Sequence, residues 1–204
     1  MIEISIIIFV VILATLSVSS FLIKSSNFSQ ILALQVTIVT IFLLSRDPTA
    51  SADYGNYKTF YNSTTSFDSI FNAYANDYMF AFLSWIGNIL SLDAETYFRI
   101  YPIICLTLSI FGLSFLVTKR YLPIAFGFFV INPGFILLFT NALRQGLSVP
   151  LLIIGIAFYF RGKNSRLLSY LFLIASIFAH SAALPLIIVF FILMRLTKKS
   201  NKAQ

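Results

Sequence analysis

The sequence predicts an all-α fold, a polytopic transmembrane bundle of about 6–7 spans with one further helix lying re-entrant or at the interface. Composition is the first reason. The 204 residues are 59% apolar, 17% aromatic and only 10% charged, too little polar surface for a water-soluble domain. The second is the length of the apolar runs, several of which reach spanning length. They lack the alternation of barrel strands, which favours helices. The third is the placement of charge, which follows a membrane.

In chain order, residues 4–23 and 28–44 read as the first two spans. The first does not read as a cleaved leader, because its only early charge is Glu3 and the run is too long. Residues 45–77 are rich in Asn, Asp, Ser, Thr and Tyr and read as a loop outside the membrane. The run at 78–92 would cover about 22 Å as a helix, against about 30 Å of hydrocarbon. Gly87–Asn88 interrupts it, so it reads as the re-entrant or interfacial helix. Residues 100–117, 121–140 and 146–160 are three further spans. Residues 167–194 would make about 42 Å of helix, with basic flanks at both ends. Two readings fit: a hairpin turning at "AHSAALP" (179–185), sheltered by protein, or one long tilted helix. A basic tail at 195–204 completes a single transmembrane domain over 1–204, with no internal repeat.

Four basic clusters set the orientation. They are Lys24; Lys119 and Arg120; Arg161, Lys163 and Arg166; and Arg195, Lys198, Lys199 and Lys202. Placing all four in the cytoplasm satisfies the positive-inside rule and puts 10 of the 14 basic residues there. All seven acids then lie outside: Glu3, Asp47, Asp53, Asp68, Asp77, Asp93 and Glu95. The N-terminus is expected outside and the C-terminus inside. The net charge of +7 therefore reads as topology, not as a nucleic-acid surface. Cys105 is the one cysteine, so neither an intrachain disulfide nor a cysteine metal site is available. No metal cluster and no nucleotide-binding glycine loop is legible, and no cofactor is expected.

The unusual residues gather at the outer end. "TNALRQGLSVP" (140–150) places Arg144 among apolar spans with no acid nearby in the chain, flanked by Asn141 and Gln145 on what reads as one helical face. An ionised side chain at that depth costs a few kcal/mol, about +2.5 to +3.5 on insertion scales, so it marks a functional position. Arg46 and Arg99 sit near other outer span ends, where they either anchor headgroups or converge with Arg144 on an anion such as diphosphate. His180, followed by Ser181, is a proton donor or acceptor suited to neutral pH, and Asp53 is a candidate general base. Tyr54, Tyr57 and Tyr61 fit either a carbohydrate-facing wall or an interfacial aromatic belt.

These elements together resemble the EpsG-type exopolysaccharide polymerases, relatives of the Wzy O-antigen polymerases. The resemblance rests on "NALRQG", an Asn-x-x-Arg-Gln element opening a helix. It is followed about thirty-five residues later by Phe178, Ala179, His180 and Ser181, with one residue more between Phe and His than the family pattern. Arg46, Ala52, Asp53, Tyr54 and Tyr57 match an earlier loop element, with Ala52 where the family has glycine.

The resemblance implies a multi-span glycosyltransferase using a lipid-diphosphate-linked donor in the bacterial cytoplasmic membrane. Its substrate would be an undecaprenyl-diphosphate-linked oligosaccharide, and its partners the surrounding lipids, a flippase and a chain-length regulator. Arg144, with Arg46 or Arg99, would stabilise the departing diphosphate, while Asp53 or His180 deprotonates the acceptor. Tyr54, Tyr57, Asn141, Gln145 and Ser181 would bind substrate. The alternatives are a transporter, flippase or assembly subunit for the same lipid-linked glycan, or, since the chain is short for the family, an inactive truncated polymerase.

Overall fold

The computed structural model describes residues 2–22, 27–72 and 77–200. Lys24 and Lys202 lie outside the described residues, as do the side chains of Glu3, Lys198 and Lys199. Every regular element among the described residues is helical. The long helices are α1 (Ile2–Leu22), α2 (Phe28–Ser45), α6 (Ala94–Leu116), α9 (Leu143–Phe160), α10 (Arg166–Ala179) and α11 (Ala183–Ser200). Between α2 and α6 come three short helices, α3 (Tyr54–Ser63), α4 (Phe67–Phe71) and α5 (Tyr78–Ile89). Between α6 and α9 come α7 (Leu122–Ile131) and α8 (Pro133–Thr140). Of these, α2, α6 and α9 are long and apolar enough to cross a membrane.

Pair contacts fix the helix directions. Phe9 stacks on Phe42 and Gln35 donates to Ser17, so α1 and α2 are antiparallel. The Tyr101 hydroxyl donates to the Leu143 carbonyl at one end, and Arg161 lies over Phe115 at the other, so α6 and α9 run parallel. Ser148 bonds the Ser176 carbonyl and Ser169 the Gly155 carbonyl, which sets α10 antiparallel to α9. Small residues allow this close approach, and the hydroxyls bond across it.

The 167–194 run is a hairpin. Phe190 and Phe191 of α11 return to Tyr159 at the end of α9, and Phe191 reaches Tyr170 near the start of α10. Leu167, Leu171 and Ile174 of α10 and Leu184, Ile188 and Ile192 of α11 present a bare apolar face.

Two readings of the chain are corrected. The run 121–140 is not one helix but two, α7 and α8. Asn132 takes the extended backbone that a residue before proline prefers, and its Oδ1 accepts from the Gly134 N–H at 2.8 Å. Nor do Gly87 and Asn88 interrupt α5, which runs through them. Gly87 is needed for proximity, since a Cβ there would stand 2.6 Å from the Tyr97 ring. Asn88 Nδ2 reaches the Tyr61, Thr64 and Ser84 carbonyls at 2.9, 3.0 and 3.1 Å, closing the exposed C-terminal end of α3.

Residues 47–72, read as part of a loop, carry helices of their own. A 3-10 turn (Pro48–Ala50), α3 and α4 pack with α5 over one end of the bundle. Tyr61 and Tyr97 stack at 4.6 Å there, and the Tyr61 hydroxyl donates to the Leu92 carbonyl. Asp47, Asp53, Asp68, Asp77, Asp93 and Glu95 all belong to this end, at the C-terminus of α2, the three short helices and the start of α6. Lys119, Arg120, Arg161, Lys163, Arg166 and Arg195 lie at the opposite end, where α6, α9 and α11 finish.

Candidate active site

The site is built on the α8–α9 junction. Asn141 caps α8, and α9 begins at Leu143, so Arg144 lies in the first helical turn. Three contacts hold that turn in place. Arg46 donates to the carbonyl of Thr140, the last residue of α8. Tyr101 donates to the Leu143 carbonyl at 3.2 Å. Gly146 presses against the Leu138 carbonyl, where a Cβ would collide with backbone. A cation in the first turn opposes the positive end of the helix dipole and calls for an anion.

Asp77 supplies that anion. It occupies the N-cap position of α5, but its side chain makes no capping bond and is 1% exposed. Its Oδ2 lies 2.5 Å from Arg144 Nη1 and its Oδ1 3.5 Å from His180 Nδ1. His180 stands in extended backbone between α10 and α11, its N–H bonded to the Ser176 carbonyl. Its Nε2 is 3.3 Å from Gln145 Nε2. A primary amide nitrogen only donates, so His180 Nε2 is the acceptor in that bond, while Nδ1, buried on the Asp77 side, makes no hydrogen bond. The result is an imidazole beside the carboxylate whose Nε2 faces Gln145.

A cavity of about 600 Å³ opens beside this cluster, between α3, α4 and α5. Tyr57, Phe60 and Phe80 form its aromatic part, and Arg144 lines its edge with the guanidinium 5.9 Å over the Tyr57 ring. Chemically, the arrangement offers one fixed cation lining an open cavity and, behind it, an imidazole beside the same carboxylate. No three of His, Cys, Asp and Glu among the described residues are grouped to hold a metal ion.

The model of the EpsG family matches residues 30–203, most of the chain and every element of this site. The chain belongs to the EpsG family. No curated protein and no solved structure matches it. Membership of the EpsG family suggests an exopolysaccharide polymerase-type role, and with the three span-length helices it points to a membrane protein.

In this EpsG-family chain the two later motifs meet, through Gln145 and His180, and of the three arginines only Arg144 lines the cavity. Arg99 pairs with Glu95 one helical turn away at 2.8 Å, both partly exposed, and does not line the cavity. Arg46 is engaged with Thr140. Asn141 and Arg144 do not share a helical face either, because the chain breaks between them; Asn141 Oδ1 accepts from the Thr140 hydroxyl.

Asp53 is exposed at the start of α3, and the cavity lining does not include it. The tyrosines form no open wall. Tyr57 and Tyr61 are buried, Tyr54 rests edge-on against Phe98, and only Tyr57 borders the cavity. Burial raises the Tyr54 and Tyr61 hydroxyls above the usual phenol range. Ser181 is exposed in the turn after His180.

Asp77 is the residue that sequence reasoning missed. Its signal was Arg144 itself, since a deep cation with no acid nearby in the chain must draw its partner from elsewhere in the fold.

Proposed function

We propose that the chain polymerises undecaprenyl-diphosphate-linked oligosaccharide repeat units into exopolysaccharide, capsule or O-antigen at the outer face of the bacterial cytoplasmic membrane. The observation that carries this reading is the Arg144–Asp77–His180 cluster beside a cavity in an EpsG-family chain. In the reaction, an acceptor hydroxyl oxygen bonds to the anomeric carbon of the growing chain. The bond from that carbon to the diphosphate oxygen breaks, and the lipid diphosphate leaves with the electron pair. The acceptor hydroxyl displaces the Gln145 amide from His180 Nε2, which takes the hydroxyl proton; Asp77 stabilises the resulting imidazolium, and Arg144 meets the charge developing on the diphosphate.

About 6–7 spans would carry this site, with α1, α2, α6, the α7–α8 pair and α9 crossing, the α10–α11 hairpin entering from the inner side with its turn sheltered by protein, and α5 re-entrant or interfacial. The acidic end would face outward, the N-terminus lying outside and the C-terminus inside. A flippase supplying the repeats and a chain-length regulator would be the natural partners.

The test is glycan-ladder length in cells expressing wild type, Arg144→Ala and His180→Ala at equal membrane level. Single repeats accumulating on lipid outside the membrane support the polymerase. Repeats trapped inside support a flippase instead, and unchanged ladders overturn both.

A further inference from the structure

We infer that the cavity between α3 and α4 is a subsite for a neutral, hydroxyl-rich sugar ring, lying with its phosphate-bearing edge toward Arg144. The argument rests on which hydrogen-bonding groups the wall has left to offer. Beside the Tyr57 phenol, four aliphatic hydroxyls line it, and each of these donates its one proton to a backbone carbonyl. Thr59 bonds Gly55 at 3.0 Å, Ser63 and Thr64 both bond Phe60 at 2.7 and 2.8 Å, and Ser69 bonds Ser66 at 2.5 Å. A hydroxyl whose proton is engaged presents only oxygen lone pairs, so these four accept. A ligand rich in O–H donors satisfies it, whereas a carboxylate or sulfate would set acceptor against acceptor.

Asn56 and Asn72, on α3 and at the end of α4, add amide groups able to bond a sugar hydroxyl in either sense. The aromatic faces of Tyr57, Phe60 and Phe80 supply the apolar side on which the C–H face of a sugar ring packs. Among the described lining residues no acid appears, and the one cation, Arg144, stands at the cavity edge beside Asp77 and His180. An anionic group is therefore best placed at Arg144, and the four accepting hydroxyls favour a neutral remainder. The volume of about 600 Å³ lies within the range of small-ligand sites.

This assignment rests on the polymerase reading, but it can be tested apart from it. Trp85, the single tryptophan, lies 5.4 Å from Phe67 of α4 and reports on that helix. The full chain in detergent micelles is titrated with maltotriose, triacetylchitotriose and trigalacturonate, followed by heat of binding and Trp85 emission. A neutral trisaccharide should bind at least threefold more tightly than trigalacturonate. Thr59→Val, which keeps the shape and removes a lone-pair oxygen, should weaken it at least threefold, and Ser63→Phe should abolish it.

Preference for trigalacturonate, no binding of either neutral sugar, or binding unchanged in both variants overturns the subsite. Pyrophosphate binding lost in Arg144→Ala but kept in Thr59→Val supports the division between anionic edge and neutral wall. Sugar binding together with normal ladders in Arg144→Ala would sink the polymerase reading and leave the subsite standing. Lost ladders with no sugar binding would do the reverse.

Discussion

Arg144 and Asp77 stand 67 residues apart in the chain and 2.5 Å apart in the fold, the aspartate 1% exposed and the arginine 36%. Removing the arginine strands a buried carboxylate, which costs about 3 kcal/mol. Arg144→Ala should therefore lose both stability and polymer. Adding Asp77→Ala should restore most of the stability and none of the polymer. Thermal unfolding of the three variants in micelles, compared with their glycan ladders, separates the two roles. Additive destabilisation in the double variant would deny the pairing.

His180→Gln keeps an amide beside Gln145 but cannot accept a proton at neutral pH. Polymer formation should fall by about 10²–10⁴, the usual contribution of a general base, while the melting temperature barely moves. Near-normal chain synthesis in this variant would remove His180 from the chemistry.

Gly146→Ala drives a Cβ into the Leu138 carbonyl, and backbone cannot rotate away as a side chain can. A loss of about 1–3 kcal/mol is expected, with displacement of Arg144 and shorter glycans. Gly55 in α3 has open space around it, so Gly55→Ala should be neutral or stabilising by up to about 1 kcal/mol. The contrast between the two alanines, read as melting temperatures, checks the packing at the junction.

Asn88→Ala leaves the Tyr61 and Thr64 carbonyls without their side-chain partner. About 1–3 kcal/mol should be lost, with faster amide exchange concentrated in the last turn of α3. Exchange unchanged there would mean that water replaces the amide without penalty.

Asp93 accepts from the Thr96 N–H and hydroxyl at the start of α6, which holds its carboxyl below the usual carboxylate range. A carboxyl lowered in the folded state stabilises above its unfolded value, about pH 3.9, and loses that effect as pH falls through the lowered one. Melting temperature against pH should show a weaker acid decline in Asp93→Asn than in wild type.

The helical class and the charge difference between the two ends were legible because each depends on local pattern, whereas the hairpin at His180 was one of two readings that the chain left open. Asn132-Pro133-Gly134 was an equally local break signal, masked by the apolar run on both sides. What could not be read locally was partnership. Arg99 found Glu95 one turn away and left the site, while Arg46 found a carbonyl 94 residues on. Asp77 looked like one more acid on an outer flank. Nothing in the chain tells Asp53 from Asp77 until α5 is laid against α9 and α10, which buries one carboxylate and leaves the other in the open.

Because Asp77 already occupies Arg144, the arginine is never an empty receptor. Any anion that reaches it must trade places with a tethered carboxylate or share the guanidinium with it. Binding strength there is thus the difference between two pairings, and a singly charged visitor gains little over the resident. A multiply charged group with several oxygens gains more, and on its departure the carboxylate stands ready to return. The site carries its own competitor, and with it a built-in preference for highly charged guests and a route to letting them go.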